Sequence, residues 1–168
     1  MNKLAELEKK YEELGKEIEK LKLAEAESKV GFEDDCIFLL SIDEYKKYKN
    51  KIPHMNCWWW LRSPGHIFNR AASVYIDGSF ISYGFNVRDD QSNGVRPALK
   101  IKDHTAIKCK DGACRIIYCG VTWVQIDENL YISEVPVMFN RFDEDDNNYE
   151  TSEVRKKLLE WFDNRQSW

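Results

Sequence analysis

"CWWWLRSPG", residues 57–65, sets three tryptophans in a row ahead of a Leu-Arg-Ser-Pro-Gly turn. In an extended strand successive side chains alternate between faces, so Trp58 and Trp60 point one way and Trp59 the other. The row is therefore not a continuous aromatic platform. It reads as core, with Ser63-Pro64-Gly65 stopping the strand and fixing the loop that launches the next segment. Arg62 and Arg96, beside Pro64 and Pro97, read as scaffold, because one buried guanidinium can bond several loop carbonyls at once.

Outward from this block the patterning is one of short elements. Upstream, Cys36 to Leu40 is a short apolar strand, and Ser41-Ile42-Asp43-Glu44 is a capping box that opens a helix through Tyr48. Downstream, Ser73 to Tyr83 reads as a hairpin with Asp77-Gly78 as its tight turn. Val95 to Ile101 is a strand whose Pro97 belongs at an edge or bulge. A second hairpin runs from Ile107 to Tyr118 around Asp111-Gly112, with Cys109 and Cys114 facing each other, free to pack or to bridge. Strands follow near Val121 to Ile126 and Leu130 to Ser133. A helix from about Ser152 to Phe162 puts Val154, Leu158, Trp161 and Phe162 on one face. Many short strands flanked by helices make an α+β pattern.

Residues 2 to 29 differ in character. Leu4, Leu7, Tyr11, Leu14, Ile18 and Leu21 alternate steps of three and four among Glu and Lys, a heptad seam that lapses at Glu25 and Ser28. The segment predicts a long helix, either a coiled coil that oligomerises the chain or a stripe packed on its own domain.

Composition narrows the chemistry. A chain of 168 residues fits one domain with an appendage, here 1–30 followed by 31–168. A net charge of -4 gives no basic footprint for a phosphate backbone, so direct nucleic-acid binding is not expected. No apolar run reaches bilayer length and the first residues are not a signal core, so a soluble, unprocessed chain with no membrane contact is expected. Five cysteines form an odd set that suits reduced thiols. His54, His66 and His104 sit in no recognisable triad frame, and no phosphate loop or metalloprotease helix is present, so no enzyme is expected. The run Asp143 to Asn148 lacks the ligand spacing of a calcium loop, and His104, Cys109, Cys114 and Cys119 do not pair across a zinc knuckle. No metal and no cofactor is expected.

The stretch Cys57-Trp-Trp-Trp-Leu-Arg-Ser-Pro-Gly65, with Ala71-Ala72-Ser-Val74, Asp77-Gly78-Ser79, Gly84, Val87 and Gly94-Val-Arg-Pro-Ala-Leu99, resembles an uncharacterised domain family of gut bacteria and their phages. Asp35-Cys-Ile-Phe-Leu-Leu-Ser41 resembles the lead into that signature, and the likeness covers residues 34 to 101. It implies a C-type-lectin-like fold. Trp123-Val-Gln-Ile, Leu130-Tyr-Ile-Ser-Glu134 and Tyr149 to Phe162 resemble the part that precedes the signature in the family, yet here they follow it. A circular permutation accounts for this order, with 31–101 as the signature half, 102–120 as the joining hairpin and 121–168 as the permuted half; a domain-swapped oligomer satisfies it equally. No Glu-Pro-Asn or Trp-Asn-Asp calcium motif of the sugar-binding lectins is found.

Residues 66 to 93 are rich in Asn, Ser, Tyr, Asp and Arg, the chemistry of a paratope. In lectin-like proteins diversified by retroelements the corresponding segment is the ligand surface, and the resemblance nominates Asn69, Arg70, Tyr75, Asp77, Tyr83, Asn86, Arg88 and Asp89. Solvated hairpin positions would have the same composition. Two functions follow. One is an acidic, phage-type protein in the bacterial cytoplasm that binds and blocks a host macromolecule, in the manner of an anti-CRISPR protein, meeting a basic surface with the loop Asp143, Glu144, Asp145 and Asp146. The other is the recognition head of a phage fibre or adhesive assembly, carried in the virion on a helical stalk.

Overall fold

The computed structural model describes residues 3–28, 30–89, 93–102 and 104–166, with the side chains of 22–28 left out. The chain divides into two compact units, Met1–Val30 and Gly31–Trp168. The first is one α-helix, α1 (Lys3–Ser28), built from residues of high helix propensity with only Gly15 against it. Positions 2 and 29 of the expected helix lie outside the described residues.

Among the described residues the second unit is α+β, with two sheets and two α-helices. In chain order it comprises β1 (Ile37–Phe38), α2 (Ile42–Tyr48), β2 (Trp58–Pro64), β3 (Arg70–Val74), β4 (Phe80–Asn86), β5 (Asn93–Val95) and β6 (Ala98–Lys100). It continues with β7 (Ile107–Lys108), β8 (Cys114–Tyr118), β9 (Val121–Asp127), β10 (Leu130–Ser133), β11 (Met138–Phe139) and α3 (Glu153–Gln166). One sheet has the order β1-β6-β10-β9-β8-β7 and the other β11-β5-β2-β3-β4. All pairings are antiparallel except β2 with β5, where Trp58 lies beside Asn93 and Trp59 beside Gly94.

The capping box forms as its spacing requires: Glu44 N donates to the Ser41 hydroxyl at 3.2 Å and Ser41 N to the Glu44 carboxylate at 2.8 Å. The tryptophans are core. Trp60 is fully buried, meets Phe142 edge-on at 5.7 Å and donates from Nε1 to the Asn140 carbonyl at 2.9 Å. Trp59, on the other face, packs against Tyr45 at 5.5 Å and lies under the Arg96 guanidinium. Trp58 is half-buried, stacked on Phe85 at 4.7 Å. The main core continues through Leu39, Val95, Trp123, Tyr131 and the α3 residues Val154, Leu158 and Phe162.

Several expectations are corrected. The strand from Trp58 is not stopped at Ser63; it runs to Pro64 through a bulge, since Trp60 faces Ser73 whereas Pro64 faces Ala71. The bulge turns Arg62 N toward the Leu40 carbonyl at 2.9 Å and places the Ser63 hydroxyl to accept from Ile42 N at 2.9 Å, tying β2 to the start of α2. The expected strand Val95 to Ile101 is two strands in different sheets, with Arg96-Pro97 as the crossover, because Pro97 has no N–H to continue a ladder. Asp77-Gly78 is not a two-residue turn. Tyr75 N donates to the Ser79 carbonyl at 2.7 Å and Gly78 N to the Tyr75 carbonyl at 3.0 Å, which makes a three-residue loop with Gly78 alone at positive φ (+80°). The Asp111-Gly112 hairpin closes in the same way, so Cys109 pairs with Ala113 rather than Cys114, and all five cysteines are free thiols. Only Ile37 and Phe38 of the first expected strand join a ladder, β11 has no strand signature in its two residues, and α3 runs past Phe162 to Gln166.

Candidate functional site

Both arginines of the tryptophan signature serve the frame. The Arg62 guanidinium pairs with Glu44 through both carboxylate oxygens, Nη2–Oε1 at 2.8 Å, and donates to the carbonyls of Leu39 (2.8 Å) and Gly31 (3.0 Å). Burial works against the charge of Glu44, but the Arg62 hydrogen bonds and charge, with N–H groups of Ser41 and Gly31, bring its carboxyl below the ordinary range. Arg96 is fully buried and donates to the carbonyls of Ser133 (2.8 Å) and Pro53 (2.7 Å), holding the crossover between the sheets.

From this frame β2 delivers the chain to a loop at residues 65–70. Gly65 N donates to the Arg70 carbonyl at 2.7 Å, Arg70 N to the Ile67 carbonyl at 3.0 Å, and His66 N to the Tyr83 carbonyl at 3.1 Å. The loop is thereby closed on itself and fastened to β4. It presents Ile67, 52 % exposed, and Phe68, 71 % exposed, with Tyr83 on β4 at 54 %.

The nominated residues fall into two groups. Arg70, Tyr83, Asn86 and Arg88 stand on or beside this surface, Asn69 joins it by accepting from Val87 N at 2.9 Å, and Asp89 closes on the Asn86 carbonyl at 3.1 Å. Arg70 is partly committed, donating to the Gly84 carbonyl at 3.0 Å. Asp77 belongs to the turn at the other end of β4, whereas Tyr75, just before that turn, turns its side chain back to Tyr83 and Phe85. Tyr75 packs on Trp58 and Phe85, and burial together with a hydrogen bond to Tyr83 pushes its phenol up. Asp77 is held by the Ser79 hydroxyl (2.6 Å) and N–H (2.9 Å), which lower its carboxyl, so it builds the turn. Residues 90–92 of the paratope-like segment lie outside the described residues.

The acidic loop joins this surface. Asn147 donates to the carbonyls of Ile67 (3.0 Å) and Arg70 (2.9 Å), Arg88 Nε donates to the Glu144 carbonyl at 2.6 Å, and Phe142 N to the Val87 carbonyl at 2.8 Å. Glu144, Asp145 and Asp146 are exposed along its edge. Asp143 differs: its carboxylate accepts from Asp145 N and from Glu153 N, both at 2.9 Å, at the start of α3. Burial raises its pKa, but these and neighbouring N–H groups bring it below the usual carboxylate range. Asp143 is thus structural, and three carboxylates border the apolar tip.

Ile67, Phe68 and Asn147 were not legible as site residues. Two adjacent apolar residues look like core, and Asn147 reaches a loop 80 positions away in the chain. Their only local signal is that Ile67 and Phe68 follow a Pro-Gly turn instead of a strand pattern. Elsewhere, His54 lies against Gly78, His66 is on the 65–70 loop and His104 packs edge-on to Tyr118 at 5.4 Å. Among the described residues no group of three His, Cys, Asp or Glu side chains stands close enough to hold a metal ion, and no helix is long and apolar enough to cross a membrane. A shallow cleft of about 620 Å³ between Lys51, Asp111, Cys114 and Asp127 mixes charges without converging on a point.

A family model described as a domain of unknown function (DUF6273) matches residues 11–103, more than half of the 168-residue chain, and the chain belongs to that family. No curated protein and no solved structure matches it.

Proposed function

We propose that the chain is a non-catalytic protein-binding module whose recognition surface is the 65–70 loop, Tyr83, Asn86, Arg88 and the edge Glu144 to Asp146. The observation that carries this reading is the exposure of Ile67 and Phe68 at 52 % and 71 % on a loop fastened at both ends. Exposed apolar side chains on a rigid mount suit insertion into a partner's groove, because little ordering entropy is lost on binding. The carboxylates beside them suit a basic rim on that partner. A nucleic-acid-handling enzyme of a bacterial host, such as a CRISPR effector or another defence protein, has such a rim, so the proposed role is inhibition of that type. The reading includes a C-type-lectin-like fold in permuted order; two mainly antiparallel sheets with flanking helices support it.

The test is affinity purification of the tagged chain from bacterial lysate, with an Ile67→Ser/Phe68→Ser double variant and Asp145→Lys in parallel. The expected result is a basic nucleic-acid-handling protein retained by the wild type, lost with the double variant and weakened by Asp145→Lys. Capture of the same proteins by wild type and double variant refutes the surface. Recovery of a cell-surface protein or glycan instead supports the second reading, the head of a fibre or adhesive assembly, which the exposed seam of α1 favours.

A further inference from the structure

We propose that α1 pairs in parallel with α1 of a second copy of this chain as a two-stranded coiled coil, making the protein a bivalent binder. The seam residues Leu7, Tyr11, Leu14, Ile18 and Leu21 are 48 to 79 % exposed, an apolar stripe at alternating steps of three and four. In heptad terms Leu4, Tyr11 and Ile18 take the a positions and Leu7, Leu14 and Leu21 the d positions. Leucine at the three d positions 7, 14 and 21, with β-branched Ile18 at one of the three a positions, fits two parallel strands.

The flanking charges distinguish the orientations. In a parallel pair each g position faces the e position five residues on in the other helix. Lys3 then faces the partner's Glu8, an attraction made twice by symmetry, and Lys10 faces the partner's Gly15. In the antiparallel alternative that aligns Leu4 with the partner's Leu21, the attraction falls instead between Lys10 and the partner's Glu17, while Glu8 meets Gly15. Substitutions at Lys3 and at Lys10 therefore report on different pairings. Parallel pairing also brings both chains out of the coil at the same end. Two recognition surfaces on one stalk raise avidity by effective concentration; this gain rests on the proposed surface, whereas the pairing does not.

Sedimentation of the full chain from micromolar to hundreds of micromolar concentration tests the pairing. The expected mass rises from the 19.9 kDa of one chain to twice that value. Leu14→Asp should keep the chain monomeric while leaving thermal melting of the Gly31–Trp168 unit unchanged. Lys3→Glu should weaken association roughly threefold to tenfold, and adding Glu8→Lys should restore it. Lys10→Glu should leave it unchanged. A chain that stays monomeric throughout, association that survives Leu14→Asp, or weakening by Lys10→Glu in place of Lys3→Glu overturns the proposal. None of these readouts involves the partner of the recognition surface, so the two readings fail separately.

Discussion

Replacing Arg62 by Met should unlock the frame that carries the site. The Arg62 and Glu44 side chains are 14 % and 9 % exposed, so Arg62→Met strips a buried carboxylate of its counter-charge and leaves it two N–H donors, Gly31 at 2.7 Å and Ser41 at 2.8 Å. It also removes the guanidinium hydrogen bonds to the carbonyls of Leu39 and Gly31. Breaking a buried pair from one side costs about 3–5 kcal/mol. That is a large part of the ~5–15 kcal/mol that holds an ordinary domain together. At about 2–4 °C per kcal/mol for a unit of this size, the melting midpoint should fall by roughly 10 °C. Tryptophan fluorescence during urea and thermal unfolding reports it, since Trp59, Trp60 and Trp123 are buried. The pH dependence gives a sharper check. In the wild type Glu44 lies below its ordinary value of 4.5, so its contribution is complete above that pH and is lost as pH falls through the folded value. In the variant, burial without a guanidinium raises the folded value above the unfolded one. The contribution is then present at low pH and lost as pH rises. The gap between the two proteins should therefore widen from about pH 4 to about pH 7. An Arg62→Met/Glu44→Gln double variant should cost less than the sum of its parts, because no charge is left buried. A loss under about 1 kcal/mol at neutral pH, or a gap that does not change with pH, refutes the reasoning.

Gly84→Ala should destabilise by about 3 kcal/mol or more, against about 1–2 kcal/mol for Gly112→Ala. Both glycines have positive φ, +83° and +86°, but a Cβ at Gly84 would lie 2.5 Å from the Ala71 carbonyl oxygen and one at Gly112 would meet nothing within 4 Å; equal losses in urea melts would sink the close-approach argument. Glu153→Gln should flatten the acid limb of the stability curve between pH 4.5 and 2: burial raises this carboxyl, yet Lys157, Arg141 and Asn140 hold it at about 2. Its contribution, about 1–2 kcal/mol after allowance for solvent, is complete above pH 4.5 and is lost as pH falls from there through the folded value of about 2; an unchanged acid limb would show the ion pairs to be idle.

Local chemistry was legible in the sequence wherever it is decided locally. Ser41 and Glu44 cap α2 because three residues separate a hydroxyl from a carboxylate, and the Asp-Gly pairs bend both hairpins. What escaped was decided at a distance. Val95 to Ile101 reads as one strand because Val95, Ala98 and Leu99 are apolar and buried, yet the halves serve different sheets; Pro97 interrupts the ladder, and the contacts of Arg96 with Pro53 and Ser133 hold the chain where it crosses. The bulge at Arg62 depends on Leu40 and Ile42, partners in another element. For the candidate site, composition nominated Asn86 and Arg88, which stand beside the 65–70 loop, together with Asp77, whose carboxylate is spent on its own turn. It also kept Asp143 to Asp146 apart from residues 66 to 89, because Asn147 joins them only after folding.

The 65–70 loop, the centre of the proposed surface, is fastened by bonds that leave its two exposed apolar side chains uncommitted. Its bonds to Arg70, Tyr83 and Asn147 all use main-chain atoms of the loop. The side chains of Ile67 and Phe68 take no part in that fastening, so the surface tolerates change there while the mount does not. Gly65 is the exception that shows the mount is tight, since a Cβ there would collide with the Tyr83 carbonyl oxygen and the main chain of Arg70. The tryptophans act on the same side of the division. Trp59 and Trp60 spend their surface inside, and the half-buried Trp58 packs on Tyr75 and Phe85, so the block leading into the loop stiffens the mount. On the proposed reading, substitutions at Ile67 and Phe68 alter the recognition surface without touching the main-chain bonds that hold the loop, whereas Arg70 and Arg88 on the same surface also fasten Gly84 and the acidic loop and are costlier to change.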